Sequence, residues 1–383
     1  MVRLGYLVDS EIPSRKANSV HAVKMSSAFS NNNINLTLFC RGTKEGNITD
    51  AFSVYGIKRK FEICAFKPYV HKGILGKIDI ILNGFRQSLQ VKKSKKIDFI
   101  YARARVTLFF SMNISPYMLE AHEWPNSKML RIMERIILKN RNCKGLVVIS
   151  NALKKKYIEN YPFLLTEKVH VLHDGADAVQ KEISPLNIDN NKSDYPECVI
   201  GYLGHLYPGK CMEIILEIAN QRPNYLFHIV GGTEQWISYW KEELNNRNID
   251  NIIMYGFVEN REVGAWYSAF DIFLLPLLNK ILVDGGKKRD IGRWISPLKL
   301  FEAMAYGNAI LASRISTLQE VIEEGEEGLM ASPDNIDEWL KQLDLLVQNP
   351  ELRKKLGRAA KKKLEKSYTW DIRAKRILDI LMS

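Results

Sequence analysis

A lysine and a glutamate three residues apart, Lys299 and Glu302, stand just behind Ser296-Pro297. Ser296 suits a helix N-cap and Pro297 a first helical position, so a helix is predicted from Pro297, with Gly307 as its stop. Leu298, Leu300, Phe301, Met304 and Ala305 recur at helical spacing and would face a core. The helix start would offer amides, the positive end of a dipole and a lysine to a phosphate. A carboxylate one turn later suits paired hydroxyls such as those of a ribose. The same residues also fit a capped surface helix with a solvated Glu-Lys pair, and this stretch alone does not decide.

Two further stretches carry chemistry. Gly204, His205 and Lys210 fall between a predicted strand, Cys198 to Leu203, and a predicted helix from Met212. A glycine turn with two possible cations at a strand end suits a phosphate, although the Gly-Lys-Ser/Thr ending of a Walker loop is absent. Nearer the N-terminus, Glu120-Ala-His122-Glu123 follows another predicted strand, at the end where α/β sheets place their chemistry. Glu120 and Glu123 could set the tautomer of His122 or could be surface charges. Ser19 is a plausible cap for a helix after the first strand, and His21 faces either a cleft or solvent.

The elements that must hold these residues alternate. Short apolar strands at Leu4 to Val8, Ile34 to Phe39, Ile97 to Ala102, Gly145 to Ile149, Leu226 to Val230 and Asp271 to Pro276 are separated by helical periodicities. That alternation predicts parallel, doubly wound sheets. Residues 181–197, rich in Asn, Asp, Ser and Pro, read as a linker. Residues 279–293 form a polar, glycine-containing loop that either closes over a ligand or is a plain insertion.

Ser296-Pro-Leu-Lys-Leu-Phe-Glu-Ala-Met-Ala-Tyr-Gly307 resembles the donor-binding motif of GT-B glycosyltransferases. It is closest to family four (glycosyl transferases group 1), in a branch with Ser-Pro-Leu-Lys-Leu-Phe-Glu. The resemblance implies an α/β GT-B fold, two Rossmann-like doubly wound parallel-sheet domains facing a cleft. An acceptor domain over 1–180 would be followed by the linker 181–197 and a nucleotide-sugar domain over 198–366. A C-terminal helix over 367–383 would cross back to the first domain. The implied donor residues are Gly204, His205, Lys210, Phe257, Val258, Ser296, Pro297, Leu298, Lys299 and Glu302. Glu302 would hold the ribose, and Lys210 and Lys299 the diphosphate. His122 would reach the transferred sugar, with Ser19 and His21 on the acceptor side. Relatives often carry another glutamate eight residues before Glu302, where this chain has Trp294; Asp284 or Asp290 could substitute.

The activity so implied is a retaining hexosyl transfer from a nucleotide sugar to a glycan or polyprenyl-diphosphate-linked acceptor, in bacterial surface polysaccharide synthesis. No metal or other cofactor is expected. Five scattered cysteines, Cys40, Cys64, Cys143, Cys198 and Cys211, indicate neither a disulfide framework nor a zinc site.

The 383 residues carry a net charge of +12, and all of it belongs to the first half. Residues 1–185 hold 30 Lys+Arg against 15 Asp+Glu, whereas the remainder is slightly acidic. An anionic partner is one reading of this asymmetry, a solvated basic face the other. The basic, amphipathic stretch from Lys58 to Lys96 suits an anionic membrane surface. No apolar run approaches the ~20 residues of a membrane span, and no secretory pattern precedes Leu4, so a cytoplasmic protein, peripheral on the inner membrane face, is expected. Nucleic acid is not expected as a partner, because no RNA-binding aromatic signature or DNA-reading helix pair occurs. A nucleic-acid-binding protein, a GT-B-type epimerase and an inactive scaffold remain alternatives.

Overall fold

The structure is a computed structural model. It describes the chain apart from residues 44–50, 58–60, 72–73, 95–96, 181–183, 185, 187, 189–195, 208–211 and 279–291, and apart from the side chains of 74, 75 and 77. Lys210, Asp284 and Asp290, and most of the 279–293 loop, thus lie outside the described residues. Two compact units divide the chain: Met1–Asp174 together with Trp370–Ser383, and Gly175–Thr369.

The first unit opens with β1 (Arg3–Ile12), α1 (Ala17–Asn31), β2 (Asn35–Gly42), α2 (Ala51–Val54) and β3 (Glu62–Phe66). It continues through α3 (Ile74–Lys93), β4 (Phe99–Ala102), α4 (Arg105–Ser111), β5 (Tyr117–Ala121), α5 (Lys128–Lys139), β6 (Cys143–Val148), α6 (Asn151–Asn160) and β7 (Val169–Val171). All seven strands are parallel, in the order β3-β2-β1-β4-β5-β6-β7. The order reverses between β1 and β4, and a crevice at such a switch point is where doubly wound sheets bind ligands. The central strands are apolar on both faces, as sheets covered on both sides require: every residue of β5 is buried.

The second unit comprises β8 (Ile200–Leu203), α7 (Met212–Gln221), β9 (Phe227–Val230), α8 (Glu234–Asn246), β10 (Ile252–Gly256), α9 (Val263–Ala269) and β11 (Ile272–Leu275). Then follow α10 (Leu298–Tyr306), β12 (Ala309–Ser313), α11 (Ser316–Gln319), β13 (Leu329–Ala331), α12 (Ile336–Gln348) and α13 (Pro350–Ser367). Its six strands run β10-β9-β8-β11-β12-β13, again all parallel, with the switch between β8 and β11. The last helix, α14 (Trp370–Met382), belongs to the first unit, where it packs on α1.

The chain enters and leaves the second unit side by side. The Ala176 amide donates to the Tyr368 carbonyl at 3.2 Å, and Ala176 bridges Thr369. A Cβ on Gly175 would lie 2.3 Å from that same Tyr368 oxygen, so the pairing needs a glycine. Val179 and Ile188 pack against the second unit's core, which is why the boundary falls at Asp174 rather than near residue 180. Among the described residues no helix is long and apolar enough to cross a membrane.

Candidate functional site

In the second unit, three glycines sit where β8, β9 and β10 end. Gly204, Gly231 and Gly256 all have positive φ (156°, 111° and 80°). They are laced by backbone bonds: Gly204 N to Val230 O at 2.9 Å and Gly231 N to Gly256 O at 2.6 Å. A Cβ on Gly231 would stand 2.2 Å from the Gly204 carbonyl oxygen, so side chains are excluded here. One on Gly204 would meet Lys299 Nζ and Tyr202 Oη, each at 3.2 Å. The bare backbone therefore opens directly onto a lysine.

That lysine is positioned by its neighbours. Lys299 donates to the Tyr202 hydroxyl at 3.0 Å and lies over the Tyr202 ring, 4.1 Å from its centre. The Tyr202 hydroxyl in turn donates to the His205 carbonyl at 2.8 Å, tying the glycine turn to the strand below it. One turn along α10, Glu302 accepts from the Tyr267 hydroxyl at 3.0 Å through one oxygen. Burial, and then the Glu302 carboxylate, raise the Tyr267 pKa well above its ordinary value, so this phenol remains a donor. Tyr306 stacks on Tyr267 at 5.5 Å. Lys299 and Glu302 are thus each aimed by a buried tyrosine from a different element.

The start of α10 differs from expectation. Pro297 is the N-cap, with φ −77° and ψ 122°, the helix begins at Leu298, and the proline side chain makes no cap bond. Ser296 is half-buried and stands one residue before the N-cap position. The physical reason is that proline fixes its own φ and biases the residue before it toward extended backbone, which moves the boundary one place along. The stop is as predicted: Gly307 takes a left-handed φ of 73°. Behind it Asn308 donates to the carbonyls of Tyr267 and Phe270 at 2.8 and 2.6 Å, locking α10 to α9. His205 is exposed with its ring 5.6 Å from that of Tyr207, Phe257 is exposed just past β10, and Val258 is half-buried against the core.

The first unit gathers a second cluster at the carboxyl ends of its strands, beside the β1/β4 switch. His122 follows β5, and its Nε2 lies 2.8 Å from Glu120 Oε1. Arg373, from the first turn of α14, donates to the same oxygen at 2.6 Å. Burial alone would raise the Glu120 pKa, but Arg373, with His21 and His122, outweighs it and holds the carboxyl well below its ordinary value. Burial, with the Arg103 guanidinium alongside, lowers the His122 pKa to about 4. A neutral imidazole facing an ionised carboxylate carries its proton on Nε2, so Nδ1 is the acceptor.

His21 is not on a helix surface. It is buried, with its ring 4.9 Å from that of His122 and 5.2 Å from Trp370. Arg103 donates to Nδ1 at 2.7 Å, which leaves Nε2, 3.2 Å from Asp174 and 3.4 Å from Glu120, to carry the ring proton. Ser19 lies within α1 rather than capping it; Lys16 is the N-cap. Its hydroxyl donates to the Glu11 carbonyl at 2.9 Å and meets Ser14 at 2.7 Å, which braces the β1–α1 turn.

His21, Glu120, His122 and Asp174 bring four donor atoms within 4.8 Å of one another, a spacing a metal could use. The negative charge they would offer is already met by Arg103 and Arg373, and a dication would have to displace or repel both. The set is better explained as a closed ion network that orients His122.

The sequence names His122, Lys299, Glu302 and Gly204 as candidates and gives no role to Arg103, Asp174, Tyr202, Tyr267 or Arg373. Tyr202 and Tyr267 read as ordinary core aromatics. The one available signal was Arg373 within the predicted last helix, a cation on an otherwise apolar face.

Residues 185–363 match the family described as Glycosyl transferases group 1. An uncharacterized glycosyltransferase of Haemophilus influenzae is 30% identical over 158 residues, 39% of each chain. An uncharacterized protein in the cps region of Klebsiella pneumoniae is 20% identical over 247 residues, covering 63% of this chain and 62% of that one. These curated relatives are therefore matched over about two-fifths and three-fifths of their own length. Among solved structures, HepE of Anabaena in complex with UDP and glucose superposes with a TM-score of 0.72, at 16% identity, over 100% of both chains. The chain accordingly has the GT-B fold of two Rossmann-like units, and residues 185–363 of its second unit match glycosyl transferases group 1.

Proposed function

We propose that this protein is a glycosyltransferase that takes a sugar from a nucleoside-diphosphate sugar. The acceptor is a glycan or a polyprenyl-diphosphate-linked glycan of a bacterial surface polysaccharide. The observation that carries the reading is α10: a start at a proline N-cap, Lys299 at its second residue and Glu302 one turn on, beside strand ends stripped to glycine. The amides and Lys299 meet the diphosphate, and Glu302, aimed by Tyr267, accepts from the ribose hydroxyls.

As the glycosidic bond breaks, charge grows on the leaving diphosphate. Lys299 and the helix dipole neutralise it without a metal, and Lys210 adds a second cation by the sequence resemblance. In the first unit, His122 accepts a sugar hydroxyl at Nδ1 while Glu120 and Arg373 fix its ring. Trp294 stands where resembling enzymes have their first glutamate, so retention of configuration is proposed from the family resemblance alone. The surface-polysaccharide setting is supported by the relative in the Klebsiella cps region, and UDP as the nucleotide by HepE.

The test is release of nucleoside diphosphate from a panel of UDP- and GDP-sugars with a polyprenyl-diphosphate-linked acceptor. One donor should turn over, and Lys299→Ala should slow it on the order of 10²-fold, as loss of a charge-stabilising donor does. Acceptor-independent interconversion of the donor, or no turnover of any donor, would contradict the proposal.

A further inference from the structure

We propose that α5, α3 and the turn at Tyr69-Val70 form a face by which the first unit docks on an anionic lipid bilayer. This goes beyond the donor reading and does not depend on it. The sequence expectation rested on the stretch from Lys58 to Lys96, of which residues 58–60, 72–73 and 95–96 lie outside the described residues. The structure adds a second and stronger helix.

On α5, Met129, Ile132 and Ile136 recur at helical spacing and all point outward; Ile132 is 53% exposed. The cations Lys128, Arg131, Arg135 and Lys139 are exposed along the same helix. Its single acid, Glu134, is turned inward and fully buried, where it pairs with Arg105 and accepts from the Tyr157 hydroxyl at 3.0 Å. The Phe163 ring draws Arg135 and Lys139 to 5.5 and 4.8 Å of its centre, which gathers two of the charges at one end of the row.

α3 repeats the pattern. Ile78, Leu82, Phe85 and Leu89 form an exposed stripe that ends in exposed Lys92 and Lys93. Its single acid, Asp79, is also buried and accepts from the His71 amide at 2.6 Å. α4 lies between the two helices, packing on both, and sets Phe110 edge-on to Phe85 with ring centres 5.4 Å apart. Beside them, Asn83 holds Tyr69 by bonds of 2.8 and 2.9 Å to its backbone, and Arg86 lies 4.5 Å from its ring centre. The fixed turn leaves Val70 68% exposed.

Isolated exposed apolar residues need no explanation, but an apolar face rimmed by one sign of charge does. Apolar stripes flanked by cations, with Tyr at the margin, match the headgroup boundary of a bilayer carrying negative lipids. Neither helix presents a carboxylate outward. A symmetric dimer through this face would set cation row against cation row, which disfavours a second copy as the occupant.

The test is co-sedimentation of the full chain with vesicles of phosphatidylcholine, with or without 30% phosphatidylglycerol as a chosen working composition. Wild type should pellet with anionic vesicles, be left behind by neutral ones, and be released by high salt. A Lys128→Gln, Arg131→Gln, Arg135→Gln, Lys139→Gln variant and an Ile132→Ser, Ile136→Ser variant should each lose more than about ten-fold in binding, with circular dichroism and nucleotide binding unchanged. Wild type that stays in solution with anionic vesicles overturns the proposal, as does undiminished binding by the four-glutamine variant. A dimer that Ile132→Ser, Ile136→Ser dissociates, with no vesicle binding, would assign the face to a second copy instead.

Discussion

His122 is held as a neutral ring. Its ordinary pKa of about 6.5 is moved to about 4 by burial and by Arg103, so protons bind the unfolded chain more readily than the folded one across the window between. Stability contributed at this site is therefore present above about pH 6.5 and is lost as the pH falls toward 4. His228, buried and lowered to about 4 by burial alone, acts in the same direction. A proton titration by NMR should show the His122 ring unprotonated down to about pH 5; an imidazole that titrates near 6.5 would contradict the network. Arg373→Met removes one partner of a buried ion pair and should cost about 3–5 kcal/mol in denaturant unfolding. A loss below about 1 kcal/mol would mean that Glu120 is held by other groups.

At the scale of elements, α10 was legible in the sequence because everything that makes it is local. Its apolar spacing, Lys299, Glu302 and Gly307 all lie within a dozen residues, and only the start moved, by one place, because proline carries its own φ. The strand series was legible for the same reason. The His122 network was not. Arg373 and Glu120 are separated by 253 positions, and no spacing rule links a helix at the chain's end to a strand in its first third. The acids of α3 and α5 look like surface charges in the sequence; only packing shows that Asp79 and Glu134 turn inward. The glycine cluster yields a direct prediction at this scale. Gly231→Ala places a Cβ against the Gly204 carbonyl in a backbone conformation that side chains rarely adopt, and should cost at least ~1–3 kcal/mol. It should also weaken nucleotide binding by moving Gly204 and, with it, Lys299. Unchanged thermal stability would show that the turn relaxes without effect.

Across the whole molecule, the charge that the sequence concentrates in residues 1–185 is put to two uses in the first unit. Arg105 is drawn inside to pair with buried Glu134 and Arg103 to bond buried His21, where Arg373 of the last helix joins them, while the α5 and α3 cations remain outside on an apolar face. The second unit is slightly acidic by sequence and reserves its cations for particular places, Lys299 above all. The proposed division of labour is that of a donor unit built from glycine, tyrosine and one helix start, and a partner unit built around a neutral histidine.

The most direct test of the donor site is calorimetric titration of UDP and GDP into wild type and Glu302→Ala. One nucleotide should bind wild type. The variant, still folded, should bind it about 10- to 100-fold more weakly, as expected for loss of charge-assisted hydrogen bonds of ~1.5–3 kcal/mol. Equal affinity in the folded variant, or no binding of either nucleotide to wild type, would contradict the account.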